Sequence, residues 1–150
     1  MKSVRFIFAV VAVIATIYFG YGYIKIDANE PWTKQEVIKP KELMKVLGNK
    51  NALQPLILNI GFAGNIKNAV EIGAANDVAG IEKLKNKLQN VPRNKLIVFY
   101  CGCCPYNHCP NVRPAFKLLK EMQFSNFKLL DLPENLKVNW INEGGEMAAK

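Results

Sequence analysis

Short apolar runs alternate along this chain with stretches of helical periodicity, and a chain so patterned has few ways to bury itself. Leu56–Ile60 (LILNI), bounded by Pro55 and Gly61, reads as a buried strand. Leu96–Tyr100 (LIVFY) is the strongest strand signal, and Val37-Ile38 and Phe127–Leu130 (FKLL) read as shorter strands. Between them lie helical stripes. Pro40 opens one with Leu43, Met44 and Leu47, stopped by Gly48; Ala79–Leu88 carries Ile81, Leu84 and Leu88 ahead of Pro92. Pro114–Met122 carries Ala115, Phe116, Leu118, Leu119 and Met122, and Leu136–Ile141 reads as a last helix that packs Trp140. Such alternation implies right-handed crossovers and an α/β fold with a mostly parallel central sheet flanked by helices. Ligands of open parallel sheets sit at the carboxyl ends of strands, so the residues just after Tyr100 are where function is expected. The 150 residues suit one domain with its own core.

Ahead of that domain, Phe6–Ile24 runs for nineteen residues without a charge, behind Lys2 and Arg5. At about 1.5 Å per residue, such a helix nearly spans the hydrocarbon core of a bilayer. The positive flank keeps the N-terminus inside and puts everything after Lys25 on the extracytoplasmic (periplasmic) side. Residues 1–25 are therefore read as a signal peptide or membrane anchor. An uncleaved anchor is favoured, because neither an A-x-A site nor a lipid-accepting cysteine follows. Residues 26–34 are expected to form a polar tether and 35–150 the folded domain. Net charge is +8, and without Lys2 and Arg5 eighteen basic residues face twelve acidic ones. The lysines are scattered, with no arginine-rich or aromatic-interleaved stripe, which argues against nucleic acid as a partner. A mildly basic domain favours small anionic substrates or an anionic lipid surface.

All four cysteines and the only histidine fall in one stretch, Cys101-Gly102-Cys103-Cys104-Pro105-Tyr106-Asn107-His108-Cys109. Core filler would scatter along the chain, and a structural disulfide framework would tie distant segments, since longer closed loops gain more stability. Clustering points to chemistry. A strand end, a loop and a helix beginning at about Arg113-Pro114 form an anion cradle of loop N–H groups and helix N-terminus. A thiol there has a lowered pKa and becomes a nucleophilic thiolate. Arg113 at the helix mouth would hold a negatively charged substrate.

Strand, cysteine, loop, arginine and helix in this order resemble the rhodanese-like domain family, over roughly residues 37–144. Gly64-Asn65-Ile66-Lys67-Asn68-Ala69 falls where the family has Gly-His-Ile-Pro-Gly-Ala, and Asn59 stands where it has an acidic residue. Trp140-Ile141-Asn142-Glu143-Gly144 is similar to its closing Trp-x-x-x-Gly. The cysteine-to-arginine loop is longer than the family's, thirteen residues from Cys101 to Arg113, with a CGCCP…HCPN…RP pattern. The resemblance implies a three-layer rhodanese-like domain acting as a sulfurtransferase or persulfide carrier without a cofactor. Its partners would be a small anionic sulfur donor and a thiol acceptor. Cys101 is the expected nucleophile by position, with Cys109 the rival because Pro110 could open an earlier helix. Cys104 and Cys109 are candidates to resolve the persulfide by exchange or to serve as the nucleophile instead, and Cys103 is a further thiol of the site. This chemistry needs the Cys101 thiolate at the strand tip facing a ring of peptide amides; a Cys101 that is buried, or turned away from the entrance of the following helix, leaves the mechanism no site.

Other readings of the same loop stay open. An oxidising exterior favours a thiol–disulfide redox module, and Cys101-Gly102-Cys103-Cys104 fits Cys-x-x-Cys, though a long loop separates it from the helix. Cys101, Cys104, His108 and Cys109 could in principle hold tetrahedral zinc, but structural sites draw ligands from two separated places. Covalent haem is disfavoured because no Cys-x-x-Cys-His occurs. A phosphatase loop is rejected, because Cys109 and Arg113 enclose three residues, too few to wrap a phosphate. A catalytically silent binding domain is the remaining alternative.

Overall fold

A computed structural model describes residues 30–149. The apolar run at 6–24 and the start of the tether lie outside the described residues. Among the described residues, no helix is long and apolar enough to cross a membrane.

The domain is α/β. Its strands are β1 (Val37–Ile38), β2 (Leu56–Asn59), β3 (Ala69–Glu71), β4 (Ile97–Tyr100) and β5 (Phe127–Leu130). They form one sheet in the order β1-β5-β4-β2-β3, every pair parallel. The helices are α1 (Pro40–Gly48), α2 (Val78–Leu88) and α3 (Val112–Glu121), followed by a π-helical turn at Lys137–Ile141. Strands buried on both faces explain the unbroken apolar run of β4. Ile97 and Phe99 join the core under α2 and α3, with Leu84, Leu88, Phe116 and Leu119. Val98 and Tyr100 join a second core with Leu43, Leu136 and Trp140, on the α1 side. The β1–α1–β2 connection runs one way along the sheet, and β3–α2–β4 and β4–α3–β5 run the other. Their helices lie on opposite faces, as a single crossover hand requires.

Several boundaries differ from expectation for physical reasons. Residues from Trp32 onward belong to the domain rather than to a tether. The Trp32 ring is buried against Tyr106 and Phe116, with centroids 5.8 Å from each. Helix α3 begins two residues before Pro114, because the first-turn N–H groups have no intrahelical acceptor and a proline there removes nothing. The expected last helix is one wide turn, but Trp140 is buried as anticipated. Strand β3 carries no apolar run; it is a short edge strand with no fully buried side chain.

Candidate functional site

Strand β4 is central, and its carboxyl end meets that of β2 where the direction of the connections reverses. Such a crevice is the usual ligand site of an open α/β sheet. Cys101 enters it directly from β4. Gly102 then turns the chain with φ of +80°, and a Cβ there would lie 2.9 Å from the Leu136 Cβ and 3.0 Å from the Ala63 Cβ. The turned loop is pinned to the segment after β5: Leu136 N donates to Gly102 O (2.9 Å) and Tyr106 N to Leu132 O (3.2 Å). Consecutive turns follow, with His108 N donating to Pro105 O (3.0 Å) and Val112 N to Cys109 O (3.3 Å). They wind the chain back over Cys101 and into α3.

This winding gathers the thiols. The Cys101 and Cys103 sulfurs are 3.2 Å apart, and those of Cys103 and Cys104 are 3.5 Å apart. The sulfurs of Cys101, Cys103 and Cys109 lie within 4.8 Å of one another. The Cys109 thiol is thus close enough to Cys101 to influence its charge. The four side chains are free thiols. One negative charge is stabilised among them, and it belongs to Cys101. Donation from the Cys109 thiol is the largest reason; burial opposes it, and the Asn111 carboxamide and the thiol and backbone N–H of Cys103 reinforce it. Together they bring the Cys101 pKa down to about 5. The donors move the other way. Cys109 is pushed up because its proton is held by Cys101 and because it is buried. Burial, followed by donation to Cys101 and Cys104, pushes Cys103 up to about 12.

Asn111 is the residue that sequence reasoning missed. It occupies the cap position of α3, yet its side chain makes no bond to the helix. Instead Nδ2 donates to Cys101 Sγ at 3.3 Å, while Oδ1 accepts from Asn76 N at 3.0 Å. The carboxamide is thus buried, held from the α2 side and aimed at the thiolate. Opposite it, Gly61 lets the β2 loop approach: a Cβ there would sit 2.4 Å from Cys101 Sγ. That loop is held by Asn59 and Tyr100. Asn59 Nδ2 donates to Ala63 O (3.2 Å) and Asn65 Oδ1 (2.9 Å), and its Oδ1 accepts from Gly61 N (3.1 Å). The Tyr100 hydroxyl accepts from Ile66 N (2.9 Å) and donates to Gly64 O (3.1 Å). A carboxylate in place of Asn59 could not make the bonds to those acceptors. In sequence the available signal was the Pro110-Asn111 pair, a capping residue placed after the last cysteine.

The expected site residues are therefore assembled, with three differences. Cys101 is only 2% exposed, which contradicts the expected open thiolate: as folded, the sulfur offers a donor no direct approach, and Cys103 is the exposed thiol of the loop. The expected ring of peptide amides is mostly replaced by thiols and the Asn111 carboxamide. Arg113 has protein partners: Nη1 donates to Asn107 O at 2.9 Å, and the guanidinium lies 5.5 Å from the Trp32 ring. It braces the loop against the domain. Among the metal-ligand candidates, Cys101 and Cys109 come together with Cys103, and the group includes neither Cys104 nor His108. The chain matches no family model, no curated protein and no solved structure.

Proposed function

We propose that this domain is a rhodanese-like sulfur carrier whose Cys101 thiolate takes sulfane sulfur from a small anionic donor. The observation that carries the reading is the Cys101 sulfur at the switch point of a parallel sheet, accepting from Asn111 Nδ2 at 3.3 Å and lying 3.2 Å from a second thiol, surroundings that lower its pKa. With thiosulfate as donor, Cys101 attacks the outer sulfur. A new S–S bond forms, the S–S bond of thiosulfate breaks, and sulfite leaves with that electron pair. Because Cys101 is buried, the step requires the loop at Cys103 to open for the donor, after which Cys103 acts as the resolving thiol. It attacks the Cys101 sulfur, forming a Cys101–Cys103 disulfide and expelling the terminal sulfur as hydrosulfide, which takes the Cys103 proton. The two thiols are thereby oxidised by two electrons and the sulfane sulfur is reduced. An external thiol acceptor attacking the terminal sulfur gives the alternative outcome, transfer without disulfide. Residues 6–24 would hold the domain at a membrane, on its extracytoplasmic side.

Intact-mass measurement of the reduced protein before and after thiosulfate tests this. One added sulfur is expected in Cys103→Ser, where the persulfide cannot be resolved by its neighbour, and none in Cys101→Ser. Hydrosulfide release is expected from the native protein and not from Cys103→Ser. No added sulfur in Cys103→Ser and no hydrosulfide from the native protein, with Cys101 reduced, overturns the reading. The Cys101–Cys103 separation also favours plain thiol–disulfide exchange as a second reading. That reading predicts a disulfide on exposure to oxidised thiols and no sulfur adduct in any variant.

A further inference from the structure

The thiol cluster has a second property that sulfur transfer does not use. A metal–thiolate bond of about 2.3 Å puts two sulfurs of one tetrahedral centre roughly 3.8 Å apart. The one pair measured within this group, 3.2 Å between Cys101 and Cys103, and the 4.8 Å limit on the Cys101, Cys103 and Cys109 group lie on either side of that separation. Closing these sulfurs on one ion therefore needs side-chain adjustment and no rearrangement of the backbone. Ligand sulfurs also need donors that fix them from behind, and one residue supplies such a donor. Asn111 donates from Nδ2 to Cys101, while Asn76 N holds its carboxamide oxygen. The exposed Cys103 gives an ion its way in.

We propose that Cys101, Cys103 and Cys109 form a three-thiolate site for a soft d10 cation, zinc or copper(I). Thiolate donors select such ions over hard cations. Copper(I) is satisfied by three sulfurs; zinc takes Cys104 or a small ligand as its fourth. This goes beyond the sulfur-transfer reading and stands apart from it, because an ion bound here uses the Cys101 lone pair that would attack a donor. A metal-loaded domain is therefore closed to sulfane sulfur.

The test uses the reduced full-length protein in detergent, free of metal at the start. It is titrated separately with zinc and, without oxygen, with copper(I), each against a coloured chelator of known affinity. Native mass measurement counts the ions. One ion per chain is expected, with protons released as thiols become ligands. Asn111→Ala should weaken binding about 10- to 100-fold. Cys103→Ser, an exposed change that leaves the fold intact, should weaken it at least as much, and His108→Ala should not. Tight binding of either ion at this stoichiometry supports the site, and the tighter one identifies it. Binding no tighter in the native protein than in Cys103→Ser, or dependence on His108, overturns it. Sulfur loading is measured on metal-free protein, so failure of either idea leaves the other standing.

Discussion

Replacing Asn111 by alanine should raise the pKa of the Cys101 thiol by about one to two pH units. The side chain donates one hydrogen bond, 3.3 Å long, to a buried sulfur that carries the charge. A hydrogen bond to an ionised group contributes about 1.5–3 kcal/mol, and each pKa unit corresponds to about 1.36 kcal/mol. Losing the bond therefore moves Cys101 from about 5 to roughly 6–7. Removing the carboxamide oxygen also leaves Asn76 N without its acceptor, so some loss of stability accompanies the shift. The assay is the ultraviolet absorbance of thiolate, followed as reduced protein is titrated upward from acid. In the native protein one thiolate should appear first, with its midpoint near 5. In Asn111→Ala that first step should move upward, and in Cys101→Ser it should vanish. An unchanged first midpoint in a folded Asn111→Ala protein would refute the argument, because the charge would then be held by something other than this cradle.

Two further outcomes follow from the same geometry. Stability of the reduced domain should rise with pH from about 5 to about 9. The Cys101 pKa is lowered on folding from an ordinary value of 9, so its contribution is full above that value and lost as pH falls through 5. Cys103 and Cys109 are raised, so above about 9 the unfolded chain ionises them first and stability falls again. Denaturant unfolding across this range checks both limbs, and a Cys101→Ser protein that keeps the acid limb unchanged would contradict the assignment. Gly61→Ala puts a methyl 2.4 Å from Cys101 Sγ, an overpacking expected to cost about 1–3 kcal/mol and to block sulfur loading. Thermal unfolding together with the mass assay would show this; an unaltered melting temperature would mean that the two loops do not meet as described.

Much of the fold was legible because it rests on local pattern. Leu96–Tyr100 could only be a strand buried on both faces, and the stripe from Ala115 to Leu119 could only be a helix lying on it. β3 was not legible, since three residues at a sheet edge need no apolar run. The membership of Trp32 in the core was also hidden, because its partners Tyr106 and Phe116 lie more than seventy residues away in sequence. The cysteine loop announced itself by composition. Nothing in that composition said which sulfur carries the charge, or that Arg113 would brace the loop through Asn107.

By itself the sequence determined the class of fold and that all four cysteines follow a buried strand as one loop. Hydrophobic period and residue type are local properties, and they are written directly in the order of residues. Only the tertiary structure decided that Cys101 is covered, that Cys103 lies 3.2 Å from it, and that Asn111 turns from its helix to the thiolate. The reason is physical: a thiol's ionisation depends on which donors surround it in space. Here those donors come from its own loop and from a helix cap anchored by Asn76, thirty-five residues earlier in the chain.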